Sequence, residues 1–403
     1  MNTPIAHQVS TKGALQFAQA IIEARDILLD APWAKDSEPE RVAAERQLKN
    51  NIASALQQGF ILHDPDHPEL RCIDQHSQFG LFNPDNRYHI ATISAEGTYV
   101  VRGRRGTSAD LQIQVGDGEP GFDGSVNIEA IDQLDELVVD ERGEFELVIS
   151  DTPTGPNWLS NRKGKLRAKN ILIRESFMNW GTERAGTWHI ERTDTRGTPS
   201  PLPSRALVES QYDRASRYLV GLTRSWVEFV EGLLCDKDPN LLLGPAPTGD
   251  GGLAGQWSAV GRFQLPPSKA IVMKVARSEA RYQSIQVGDL WFNAHDYCRR
   301  QTSLTIDQAH PSSRDLGYAW FVISDEDPGV PNWLDPAGAA TIVPFMRWQG
   351  LPQGTRPEAP QVDIVPLDCV RELTGEPCFS AELRREQLAA RQAASLQSPR
   401  QFS

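Results

Sequence analysis

The stretch LWFNAHDYCRR, Leu290–Arg300, places a histidine, a carboxylate and a phenol on adjacent positions: His295, Asp296 and Tyr297. An imidazole moves a proton near neutral pH, and a phenol donates to a developing oxyanion. On an extended strand alternate side chains share a face, so His295 and Tyr297 would look into one site as catalytic groups. Asp296 is then a substrate contact, and Trp291 an apolar floor for the ligand body. The plainer reading is a turn histidine and a structural tyrosine, because one histidine without a located partner proves little.

Three other groups could do chemistry. Asp325, Glu326 and Asp327 form an acidic turn in which crowding could leave one carboxyl protonated, so Asp327 is a candidate general acid. Aspartates also simply cap turns, or bind calcium. Arg174 and Arg347 lie at similar distances after two copies of the phrase PNWL, each in a mostly apolar run. Each could clamp a carboxylate of the substrate or of the protein itself. The phrase brings Trp158 and Trp333, which either floor a cleft for a flat apolar ligand or plug the end of a folded layer, with the asparagine tying the turn.

Other chemistry has no carrier here. The chain lacks GxGxxG before a helix, a Walker loop, a GxSxG elbow and HExxH, and HDPDHPE (63–69) has no helical or cysteine partner for a metal. No cofactor is called for. A net charge of −12 opposes broad contact with nucleic acid or anionic membrane. No run is long enough for a membrane span, and MNTPIAHQVSTKGALQ has no apolar signal core. Five scattered cysteines, none in a CxxC pair, fit reduced thiols and a cytoplasmic setting.

These candidates need elements to hold them, and the chain says its key phrases twice. VISDTPTGPNWL (148–159) returns as VISDEDPGVPNWL (322–334), and IQVGD at Ile113–Asp117 returns at Ile285–Asp289, in the same order and at nearly the same spacing. We read an internal duplication. ADLQIQVGD alternates Leu111, Ile113 and Val115 with Gln112 and Gln114, the pattern of a strand with one wet face. Short alternating runs separated by Gly, Pro, Asn and Asp fill 76–193 and 256–370, which argues for two antiparallel, sandwich-like units.

Helical spacing fills the rest. Phe17, Ile21, Ala24 and Leu28 share one face, and Val42, Leu48, Ile52 and Leu56 another, within an N-terminal segment over 1–75. Ser37 and Glu40 have capping-box spacing, and Gly59 sits where a helix often ends. A stripe of Val208, Tyr212, Ala215, Leu219, Leu222, Trp226, Phe229 and Leu233 predicts a long helix joining the units over 204–236. Residues 236–255 read as a long loop with GPAPTGDGGLAG, 380–396 as a last helix, and the tail after Pro399 as disordered.

The phrases DPGVPNWLDPAG (327–338) and MRW (346–348), with FNPDNRYHIATI (82–93), YVVRGRRG (99–106), IRESFMNWGTER (173–184) and HIER (189–192), resemble a bacterial family known as domain of unknown function 1214. The resemblance covers most of residues 60–350 and departs from the family pattern at Thr305 and Pro336. It implies a β-rich fold and a bacterial source, and it supplies no catalytic residues. The expected architecture is α+β: two related β-rich units, an N-terminal helical segment and a long connecting helix. The expected function is a cofactor-independent enzyme acting on a hydrophobic, oxygen-bearing small molecule by hydrolysis, elimination or hydration. The alternative is a non-catalytic ligand-binding or scaffolding protein. Homo-oligomerisation is compatible with either. Asymmetry between the copies places the site in the second unit or at its junction with the first.

Overall fold

The computed structural model describes residues 12–124, 126–248 and 255–397. The expectations about the first eleven residues, the tail after Pro399 and the middle of GPAPTGDGGLAG fall outside them.

Two helices, α1 (Lys12–Leu29) and α2 (Glu38–Phe60), precede the first β unit. That unit runs through β1 (Arg71–Ile73), β2 (Asn86–Thr92), β3 (Tyr99–Arg104), β4 (Asp110–Gly116), β5 (Asn127–Ile131), β6 (Glu144–Ser150), β7 (Trp158–Ser160), a small hairpin β8 (Arg162–Lys163) and β9 (Leu166–Arg167), β10 (Asn170–Ser176) and β11 (Thr187–Arg192). Helix α3 (Arg205–Val230) crosses to the second unit: β12 (Leu241–Pro247), β13 (Trp257–Arg262), β14 (Lys269–Ala276), β15 (Tyr282–Gly288), β16 (Ser303–Thr305), β17 (Tyr318–Ile323), β18 (Trp333–Leu334), β19 (Val343–Gln349) and β20 (Gln361–Pro366). The chain ends with α4 (Val370–Thr374) and α5 (Ala381–Gln397).

The sheet order is β1-β2-β10-β4-β5 over β11-β3-β6-β7 in the first unit, and β12-β13-β19-β15-β16 over β20-β14-β17-β18 in the second. The two orders agree strand for strand, so the repeated phrases mark a true structural duplication. IQVGD lies on β4 and on β15, each paired antiparallel with the strand that carries the arginine. PNWL leads into β7 and β18, each paired parallel with the VIS strand before it. Each unit is wider than its sequence pattern suggested. The first begins at β1, and the expected loop at 236–255 contains β12. Its sequence, LLLGPAP, hides the strand because two prolines break any alternation; a strand at the sheet edge tolerates them.

Alternation builds the cores. Ile113, Val115, Ile171 and Ile173 are fully buried between the sheets of the first unit, and Ile285, Val287, Met346 and Trp348 between those of the second. The expected wet face of the IQVGD strands is not wet. Every residue of β4 and β15 is buried, including Gln112, Gln114 and Gln286, because the outer faces of the two five-stranded sheets meet at a junction. Polar groups there must find partners in the protein. Ser176 Oγ donates to Gln349 Oε1 at 2.9 Å, and Gln349 Nε2 to Gln256 Oε1 at 3.0 Å. Tyr282 Oη donates to Asp85 Oδ2 at 2.8 Å, and Trp180 Nε1 donates to Asp85 Oδ1 at 2.9 Å.

Helices α1, α2 and α3 pack as one cluster beside the junction. α1 buries Phe17, Ala20, Ala24 and Leu28 against α3. In α2 only part of the apolar stripe is buried: Leu48 and, partly, Ile52 pack into the helical core, Val42 and Leu56 are exposed, and Gln47, Asn50, Asn51 and Ser54 share the buried face. Their partners explain it. Asn51 donates to Thr223 of α3 at 3.0 Å, and Asn50 donates to Asn293 at 3.0 Å. Ser37 caps α2 by accepting from the Glu40 N–H. Gly59 lies inside the last turn of α2, where a β-carbon would meet Ala215 of α3.

Candidate functional site

Apart from Arg174 and Arg347, the residues singled out from sequence do not line one cavity. Residues 290–300 form turns rather than a strand. The Asp289 carboxylate collects the N–H groups of Trp291 at 3.0 Å and Asn293 at 3.1 Å, which folds the chain back at once. His295 is 2% exposed, and its Nε2 lies 3.7 Å from Asp289 Oδ2. Burial lowers its pKa, and Asp289 opposes that shift. Tyr297 stacks on Phe82 and meets Trp180 edge-on. Asp296 accepts from the Arg299 N–H at 3.3 Å. Trp291 packs on Trp33 with ring centroids 5.1 Å apart and donates to the Glu40 carbonyl.

The acidic turn and the PNWL phrases make contacts within the protein and lie outside the cavity that Arg174 and Arg347 line. Asp327 accepts from the Gly329 N–H and holds Arg384 of α5 at 2.9 Å. Arg384 also covers the ring of Trp333, whose N–H donates to the Ser324 carbonyl. Trp158 donates to Ser150 Oγ at the matching place. Asn157 and Asn332 do the same work in both copies. Each donates to two backbone carbonyls and accepts one backbone N–H, Val138 in the first unit and His310 in the second.

Arg174 and Arg347 are brought together. Both line one cavity of about 300 Å³ at the junction of the units. On β10, Ile171 and Ile173 point into the sandwich, so Leu172 and Arg174 face the cavity. On β19 the same register presents Phe345 and Arg347. Phe79, Leu81 and Phe82 from the β1–β2 connection, Trp226 and Phe229 of α3, and Phe292 complete a largely apolar wall. Val126 and Phe229 are exposed and mark where the cavity reaches solvent.

The polar groups repeat between copies. Nη1 of Arg174 donates to Oε1 of Gln114, and Nη1 of Arg347 donates to Oε1 of Gln286, the glutamine of the other IQVGD. On the second unit two further donors are satisfied by backbone: Arg347 Nη2 donates to the Leu81 carbonyl at 2.9 Å, and Gln286 Nε2 to the Phe82 carbonyl at 3.1 Å. On the first unit Gln114 Nε2 is buried without a partner in the protein. Burial lowers the pKa of both arginines. Glu119, on the β4–β5 loop, also lines the cavity. Burial pushes its carboxyl up to about 7, against the Asn170 amide that donates to it at 2.7 Å and the more distant charge of Arg174. Gly121 and Gly221 let this loop lie directly against α3, where a β-carbon on either would collide.

Sequence reading named the arginines and missed Gln114, Gln286 and Glu119. The signal was present: a polar residue kept in both copies of IQVGD has a task in both.

The fold defines a doubled β-sandwich protein of the α+β class with a cavity between its halves. No protein-family model and no curated protein matches the chain. Its fold is similar to the crystal structure of an uncharacterized protein from Burkholderia cenocepacia, with a TM-score of 0.78 and 23% identity over 89% of this chain and 98% of that one. The VPA0106 protein from Vibrio parahaemolyticus aligns with a TM-score of 0.44 and 11% identity over 86% of this chain and 100% of that one. The first likeness shows the fold alone. No helix among the described residues is long and apolar enough to cross a membrane.

Proposed function

We propose that the protein binds a hydrophobic, oxygen-bearing small molecule in the junction cavity. One observation carries this reading. Duplication brings two arginines to one largely apolar cavity, and among the described residues neither is in an ion pair. A buried cation with no carboxylate in direct contact is costly for folding, so its presence in both copies points to a ligand that accepts from it. The volume equals that of about ten liquid waters, which suits a compact ligand.

An enzyme acting on the same molecule by acid/base chemistry is the second reading. Glu119 favours it, as a carboxyl in the cavity that keeps its proton to about pH 7. Thermal-shift screening with oxygenated apolar compounds tests the binding reading, since a ligand that prefers the folded state raises apparent stability. A hit should lose its effect in Leu172→Trp, which fills the cavity. Hits whose effect survives that change bind elsewhere and sink the proposal. Mass spectrometry of a hit after incubation separates binder from enzyme.

A further inference from the structure

The two units present the same Arg–Gln pair, and only one is satisfied from within the chain. The segment that satisfies the second unit's pair is held in a strained conformation. Gly80 and Leu81 have φ of 67° and 51°, the left-handed region that a bulky residue such as leucine rarely enters. Gly80 is required there, because a β-carbon would strike the ring of Trp226. The Leu81 N–H is pinned to the Phe292 carbonyl at 2.7 Å. The result aims two adjacent carbonyl oxygens, of Leu81 and Phe82, at Arg347 and Gln286. The Leu81 side chain seats against Gly288, where a β-carbon would exclude it.

The first unit presents the same pair with Gln114 Nε2 left open, while the place over Gly116 is taken by the Asn170 side chain. Arg174 stands for Arg347, Gln114 for Gln286 and Gly116 for Gly288, and all three line the cavity. The Gln114 amide is oriented by its own contact: Oε1 accepts from Arg174, so the buried and unpartnered Nε2 is a donor. Arg174 offers further N–H groups beside it. Two adjacent donors, one of them charged, match two oxygens held on one carbon.

We propose that the ligand is an amphipathic carboxylate. Its two oxygens take on Arg174 and Gln114 the places that the Leu81 and Phe82 carbonyls hold on Arg347 and Gln286. Its chain runs across the cavity toward Phe292, Phe345 and Trp226. The Arg347–Gln286 pair is thereby a structural clamp, and the Arg174–Gln114 pair is the ligand's anchor. This rests on the cavity reading above and adds the chemical class and the residues that select it.

Decanoate and decanol, which share an apolar chain and differ in the head group, test it by calorimetric titration. Wild-type protein should bind decanoate at least about tenfold more tightly than decanol, the ratio expected for a charge-assisted pair of contacts. Arg174→Met and Gln114→Leu should each erase most of that preference while decanol binding persists. Equal binding of the two probes by wild-type protein overturns the carboxylate assignment and leaves the cavity reading standing. A preference that survives Arg174→Met and disappears in Arg347→Met overturns the choice of unit. If neither probe binds and no compound in the wider screen does, the cavity reading itself falls. The wild-type comparison needs no variant, so it holds even if Arg174→Met fails to fold.

Discussion

Replacing Glu40 with glutamine should stabilise the protein in alkali and leave it nearly unchanged in mild acid. Glu40 lies in the first turn of α2, is 3% exposed, and sits near Asp289 and Thr341. Neither carboxyl oxygen has a hydrogen-bond partner of good geometry. Burial first, and the charge of Asp289 second, push its pKa from 4.5 up to about 7; Thr341 and Trp291 only partly oppose this. The folded protein therefore keeps a proton that the unfolded chain releases near pH 4.5. Stability from this group is fully present below that pH and is lost as pH rises through about 7. The shift corresponds to about 3 kcal/mol, all of it lost by pH 9.

Urea unfolding followed by tryptophan fluorescence at pH 5, 7 and 9 measures this for wild type and Glu40→Gln. The two should agree within about 1 kcal/mol at pH 5, because glutamine mimics the neutral acid, and should differ by about 3 kcal/mol in favour of glutamine at pH 9. Glu119, also raised to about 7, acts equally in both proteins and cancels in the difference. A difference that is the same at pH 5 and pH 9 would show that Glu40 titrates as an ordinary surface carboxyl, and the packing of α2 on the second unit would be refuted.

Four further outcomes are expected. Decanoate affinity should fall as pH rises through about 7, because Glu119 then ionises near Arg174 and opposes the anion; in Glu119→Gln the titrations should no longer move with pH. His89, whose pKa burial and then Arg87 lower to about 3, stays neutral in the fold while the unfolded chain protonates near pH 6.5. Its contribution is lost as pH falls below that value, at up to about 1.4 kcal/mol per pH unit, and a His89→Phe variant should show a shallower acid limb in the same unfolding assay. Asn157→Ala and Asn332→Ala should each cost about 1–3 kcal/mol, since each strands three backbone contacts; a loss in one copy only would deny the shared role. Asp327→Asn should loosen α5 in hydrogen exchange by weakening the Arg384 contact and leave decanoate binding as in wild type; lost binding would return Asp327 to the site.

The sequence by itself determined the doubled architecture. Period-2 alternation and the repeated IQVGD and PNWL phrases are local signals, and local hydrogen bonding honours them: both IQVGD segments lie on matching strands, and both PNWL asparagines tie matching turns. The long helix was legible because its apolar stripe packs as the stripe requires, with Leu219 and Leu222 buried. Arg174 and Arg347 could be named from their matched positions. Their meeting in one cavity could not, because it depends on two sheets stacking face to face.

That stacking also reversed the reading of polar residues. Alternation alone assigns Gln114 and Gln286 to water, yet both are buried: Gln114 lines the cavity beside Arg174, and Gln286 donates to the Phe82 carbonyl. His295 and Tyr297 looked catalytic because their types are reactive. Tertiary packing buries one near Asp289 and sets the other between Phe82 and Trp180. Residue type records what a side chain can do. Which side chains share a cavity, and which donors there are left without an acceptor, follows only from how the two copies close on each other.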